Sequence, residues 1–297
     1  MRASFIPPPD IRELRDLTRH RKSLNRDRVK AANRVHKALE TANIKLGNVV
    51  SDVLGVSGRA MLDALVRGET DPEALAKLAK GSLIPKVKQL AETLCGRFAD
   101  HHAFVLGQIL TQLDQLAALV ERCDARIVEV AAPHAAAIAH LQTIPGVGRR
   151  SAEVIVSEIG VDMSRFSSSG HLASWARICP GNNESAGKRR KAGTGSGNNW
   201  LRTTLLESAW AASHSRKTYL GAQYRRISKR RGPKRAAIAV AHSILVIAFH
   251  ILRDGVDFED LGPDDFDRMD AAKLKRYHLR RLADLGVDIS KILATAA

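Results

Sequence analysis

Apolar residues recur at helical spacing along most of the chain, but with very different regularity. The clearest run is Leu106, Ile109, Leu113, Leu116, Val120, Cys123, Ile127 and Val130, which alternates steps of three and four without a miss. That is the a/d seam of a heptad repeat. It predicts a long helix, either coiled with a partner inside the chain or in a second copy, or packed as an amphipathic helix in a bundle. Pro133 ends it. Upstream, Leu14, Leu17, Leu24, Val35 and Leu39 mark a thinner stripe on another long helix. Asp10 stands where its N-cap belongs, after the stiff run Pro7-Pro8-Pro9. Between the two, residues 47–100 read as short helical pieces broken by Gly55, Gly58, Gly68, Pro72, Gly81, Pro85 and Gly96.

Past Pro133 the pattern stays helical. Two short helices flank Pro145-Gly146-Val147-Gly148, with Ile144, Val147, Val154, Ile155 and Ile159 as apolar partners. A Ser-rich start leads into a helix through Leu172 and Trp175, stopped by Pro180. Helical spacing resumes at Asn199, with Leu201, Leu205, Leu206, Ala209 and Trp210 on the apolar side, and the run 236–252 reads as a buried core helix. No stretch alternates convincingly as a strand. The expected fold is mainly α: a long basic helix, a coiled-coil-like segment, then a helical domain containing a helix-hairpin-helix. The expected segments are 1–46, 47–132 and 133–297.

Charge changes the picture more than composition does. The 297 residues carry a formal net charge of +16 and a sequence pI near 10.2. Such an excess suits a protein lying along a polyanion, because each neutralised phosphate releases counterions. A membrane surface is the lesser rival. The 236–252 run is short for a span and contains His242 and His250. Cations crowd the first helix (Arg12, Arg15, Arg19, Arg21, Lys22, Arg26, Arg28, Lys30, Arg34, Lys37), and a second burst runs from Arg216 to Arg235. Aromatic residues are only 4%, which leaves few platforms for unpaired bases and favours contact with a duplex or structured-RNA backbone. Cys95, Cys123 and Cys179 are far apart, and read as reduced, mostly buried small hydrophobes in a cytoplasmic setting.

Two stretches carry candidate chemistry. In "IPGVGRR" the glycines permit a tight turn into a helix whose first amides and dipole favour a phosphate. Pro145, Gly146, Gly148, Arg149 and Arg150 are therefore candidate nucleic-acid contacts, and a plain turn between core helices is the alternative. The stretch "GNNESAGKRRKAGTGSGNNWLR" (181–202) combines glycines, four consecutive cations and hydroxyl side chains. Asp254, Asp257, Glu259, Asp260, Asp264, Asp265, Asp267 and Asp270 follow in an acidic segment without calcium-loop spacing, read as solvated charge.

Taken in order, "IPGVGRRSAEVIVSEIG", "HLASW", the proline before the loop, Ser185-x-Gly187-Lys188 and the later "LR" resemble the C-terminal transposase domain of insertion-sequence transposases of the IS-one-hundred-and-ten type. "SFIPPPDIRELRDLTRHR" resembles the segment that leaves that family's RuvC-like domain. The resemblance implies a recombinase guided by a bridge RNA, with Ser185 as the nucleophile that becomes linked to DNA. Ser196 and then Thr194 are the local competitors. It implies nucleic-acid contacts by Gly187, Lys188, Arg189, Arg190, Lys191 and Arg202, and Mg2+ held by four acids of the RuvC-like domain. None of those acids has a counterpart here, so the sequence reads as an N-terminally truncated form that cannot complete the reaction alone. The implied partners are DNA at element ends and target, a structured guide RNA, and a second copy through the coiled-coil segment, with no membrane. The alternative reading is a non-catalytic helix-hairpin-helix protein that binds DNA or RNA.

Overall fold

The computed structural model describes residues 7–179, 184–185, 188–189, 197–269 and 271–285, those between 184 and 189 by backbone alone. It is mainly α, as the periodicity requires. α1 (Pro9–Thr41) starts earlier than an Asp10 cap would allow, and the Arg12 amide donates to the Pro8 carbonyl. Proline has no amide to leave unpaired in a first turn, so Pro9 fits inside the helix and Asp10 falls within that turn. The chain then forms α2 (Val56–Val66), α3 (Pro72–Ala76), α4 (Val87–Leu94) and α5 (Asp100–Val130). It divides into two compact units, Asp16–Glu129 and the pair of segments 1–15 and 130–297. This is a different cut from the sequence-based one, because α1 contributes to both.

In the Asp16–Glu129 unit, α1 and α5 run antiparallel. Arg21 Nη1 donates to Asp124 Oδ1 at 2.9 Å near one end, and Arg34 Nη2 to Gln112 Oε1 at 2.6 Å further along. The heptad seam is buried within the chain from Leu106 to Ile127, while Val130 at its end is only half-buried. Opposite it α1 buries Leu24, Ala31, Val35 and Leu39. The seam is thus buried within this one chain. Burial also pushes the Cys123 thiol pKa up, whereas Cys95, expected inside, is exposed.

The second unit contains α6 (Ala135–Gln142), α7 (Arg149–Ile159), α8 (Ser169–Trp175), a two-residue antiparallel ladder of β1 (Glu184–Ser185) with β2 (Lys188–Arg189), α9 (Asn199–Ser213), α10 (Tyr219–Arg231), α11 (Pro233–Asp254), α12 (Asp265–Met269) and α13 (Ala271–Asp284). α11 is the hub, packed by α6, α8, α9 and α10, and α7 packs on α6 and α9. By length and composition α5 and α11 would each pass as a membrane span. In α11, however, Val240, Ile244, Leu245, Ala248 and Phe249 are buried among its neighbours, which is the core-helix reading.

Three details differ from the sequence pattern. α8 ends at Trp175, well before Pro180, because Arg177 turns the chain with φ +55°. α9 buries Leu201, Thr204, Leu205, Ser208, Ala209 and Ala212, so its face is rotated and Trp210 lies outside, 55% exposed. In the acidic segment Asp254, Asp257, Glu259, Asp260 and Asp264 are exposed but not idle, Asp265 is half-buried, and Asp270 and the Asp267 side chain lie outside the described residues. Asp257 Oδ1 lies 2.7 Å from His140 Nδ1, the Phe258 amide donates to Thr143 Oγ1 at 2.8 Å, and Asp260 accepts from the Tyr219 amide at the start of α10.

Candidate nucleic-acid interface

The turn between α6 and α7 is built on a close approach. Gly146 has φ +88°, and a Cβ there would collide with the Ser208 carbonyl and stand 2.7 Å from the Ala212 amide nitrogen of α9. Only glycine satisfies both demands, and small residues at 208 and 212 make room. This explains why α9 buries Ser208 in place of Trp210. Ile144 and Val147 anchor the turn from inside, Pro145 and Gly146 are half-buried, and Gly148, Arg149 and Arg150 are exposed. Gly148 is the N-cap of α7 and supplies no side-chain cap. The exposed start of α7 thus carries two arginine residues at its first positions, and a helix N-terminus beside such cations is an arrangement that favours a phosphate. Arg149 also donates through Nε to Glu153 at 3.1 Å.

α7 is buried from Ala152 to Ile159, and that includes two acids. Glu158 has no exposed side-chain surface. Its carboxylate lies 3.4 Å from Arg15 Nε and accepts from Asn198 Nδ2 at 2.6 Å. Arg15 further donates to the carbonyls of Ser157 and Glu158 at 2.9 and 2.8 Å. A dry carboxylate is costly unless paired and hydrogen-bonded, and here it is both. The sequence pattern groups Arg15 and Arg21 with the basic face of α1, yet each is committed to an acid of this chain. Neither Glu158 nor Asn198 stands out in the sequence. The signal it does hold is the apolar surround of "AEVIVSEI": a helix buried all round must pair whatever acid it carries.

Asn198 also caps α9, its Oδ1 accepting from the Trp200 and Leu201 amides at 3.1 Å each. One residue earlier, Gly197 sits so close to the end of α8 that a Cβ would lie 2.6 Å from the Ala176 carbonyl oxygen and from Arg177 Cβ. The two roots of the candidate loop are therefore held together, and the downstream root is tied through Glu158 to α7 and α1. Within the loop the backbone pairs Ser185 with Lys188 and Glu184 with Arg189, so the candidate nucleophile and two candidate cations share one short ladder. Gly187, Arg190, Lys191, Thr194 and Ser196 lie outside the described residues. Arg202 is half-buried in the first turns of α9.

Residues 138–225 match the model of the Transposase IS116/IS110/IS902 family. The match runs from α6 into α10, and so covers the α6–α7 turn, the buried acids of α7, the ladder and the capped start of α9. It supports an insertion-sequence transposase, with DNA as partner, over just under a third of the chain. A search of curated proteins finds no significant match.

Proposed function

We propose, starting from that match, that the chain binds DNA through the α6–α7 turn as a helix-hairpin-helix and exchanges DNA strands through Ser185. The observation that carries the reading is that the matched residues bracket both the glycine turn and the Ser185–Lys188 ladder in one packed helical unit. In the reaction Ser185 Oγ attacks phosphorus, and the P–O bond to the departing strand breaks as the Oγ–P bond forms. The serine proton leaves to a base, and the departing oxygen takes one up. One phosphodiester is exchanged for another, so no energy source is consumed. A serine hydroxyl needs activation for this, and cations near the phosphate offset the charge that builds up. Lys188 and Arg189, paired in backbone to Ser185 and Glu184, are the nearest candidates.

The family resemblance adds a structured guide RNA and magnesium. Among the described residues no group of three or more His, Cys, Asp or Glu is placed to hold a metal ion, and the buried Glu158 is already bound by Arg15 and Asn198.

The test is an adduct assay on ends of an insertion sequence of the matched family. It is run on the chain alone and on the chain fused behind the metal-binding domain of an intact family member, with that member's guide RNA and Mg2+. In the arm that cuts, a covalent protein–DNA adduct should map by peptide mass to Ser185. Ser185→Ala should abolish it and leave DNA binding nearly intact. An adduct on Ser196 or Thr194 moves the nucleophile; full adduct from Ser185→Ala ends the serine assignment. The binding half is tested by salt titration on duplex DNA, where several phosphate contacts predict a steep fall in affinity. A flat response sinks it.

A further inference from the structure

Few aromatic residues are available to this chain, and one of its three tryptophans stands outside. Trp210 is 55% exposed on a helix that buries four smaller apolar residues. A lone exposed apolar side chain carries no message, but Trp210 is not alone. The His214 ring lies 5.7 Å away at 63°, and the Tyr224 ring of α10 lies 6.2 Å away at 89°. Neither is parallel to the indole, so neither stacks on it. His214 is exposed and Tyr224 half-buried. Exposed Arg216 and Lys217 follow in the turn to α10. That turn is fixed: Arg225 donates to the carbonyls of Ser215 and Arg216 at 2.9 Å each, and a Cβ at Gly221 would collide with the Ser215 carbonyl. An unstacked indole, followed six and seven residues on by two exposed cations on a held backbone, matches a nucleic acid that has lost its own stacking partner, because every base offers a flat face and every linkage a charge.

We propose that Trp210, with His214 and Tyr224 at its side, is a stacking site for an unpaired base of single-stranded DNA, with Arg216 and Lys217 facing its phosphates. The inference rests on the DNA strand-exchange reading and sharpens it, since strands that are cut and exchanged are locally unpaired. In duplex DNA the bases already stack on each other, so the indole gains little there.

The experiment measures binding of the full chain and its Trp210→Ala and Trp210→Phe variants to four probes: a short single DNA strand, the same strand made abasic, the matching duplex, and an RNA strand of the same sequence. Trp210→Ala should weaken binding to the single DNA strand about tenfold and leave the abasic strand and duplex within about twofold. Trp210→Phe should keep most of the affinity. Equal loss on all DNA probes overturns the proposal, as does unchanged single-strand binding. Loss on RNA alone assigns the site to RNA and overturns the DNA assignment, and loss of self-association in sedimentation with no change in DNA binding makes the patch a protein contact. If the wild-type chain binds no duplex at all, the strand-exchange reading falls by itself; a selective Trp210 effect fails or holds on the single strand regardless.

Discussion

Two arginines six residues apart on α1 each hold an acid, and the two pairs behave differently. Arg21 meets Asp124 at 2.9 Å with 29% of the acid's side chain open to solvent. Arg15 meets Glu158 at 3.4 Å with none of it open, and that acid also takes the amide of Asn198. The first pair fastens two long helices whose apolar seam already defines them. The second sits where α1, α7 and α9 converge, and α9 begins at the root of the candidate loop. Water can replace a partner of Asp124 but not of Glu158, so the dry pair acts as a fixed joint while the wet one adds only to packing.

That contrast can be broken by removing each acid. Glu158→Ala leaves Arg15 and Asn198 facing an empty dry site and should cost about 3–5 kcal/mol of stability in urea unfolding; a loss below about 1 kcal/mol would mean the site rewets easily. Next comes Asn198→Ala, which removes the α9 cap and one partner of Glu158 together, for about 2 kcal/mol. It should also lower adduct yield more than DNA affinity, whereas a purely structural role would lower both alike. Asn198→Asp keeps the capping oxygen but sets a second carboxylate against Glu158, so it should be no better than alanine. Asp124→Ala should cost only about 1 kcal/mol, because solvent already screens that pair.

The smallest effect belongs to a pair at the surface of the same unit as Arg21. Arg59 donates to both oxygens of Asp114 at 2.7 Å. That hydrogen bond holds the Asp114 pKa below its usual 3.8, with desolvation opposing it. A carboxylate with a lowered folded pKa stabilises above its unfolded pKa, and that contribution is lost as pH falls through the folded value. Melting temperature should therefore drop slightly more between about pH 5 and about pH 3 in the wild type than in Asp114→Asn. Superimposable curves would remove Asp114 from the acid response.

What is legible in the sequence follows the same divide between apolar pattern and polar joint. The α5 seam reads true from Leu106 to Ile127 because strict three–four spacing fits little besides one buried face of a helix. The glycine turn is legible too, since Gly146 needs a positive φ that the sequence signals directly. On α9 the pattern misleads by assigning Trp210 inward on hydrophobicity alone. The turn at Gly146 admits only small neighbours, and that tertiary demand outranks the residue's own preference. Arg15, Glu158 and Asn198 are 40 or more positions apart and individually read as surface residues. Their value lies in desolvation, which no local spacing records.

The pinned roots of the candidate loop have a consequence for how this region can be rebuilt. Because Gly197 lies against Ala176 and Arg177, the ends of the intervening segment are already together before its own residues contribute anything. The entropy of closing such a segment grows only with the logarithm of its length, about 0.6 kcal/mol for each doubling. The helical scaffold is therefore nearly indifferent to how many residues pass between those roots. The segment can be exchanged as a cassette, and swapping in one of different length should alter what it does to DNA while the melting curve of the scaffold stays in place.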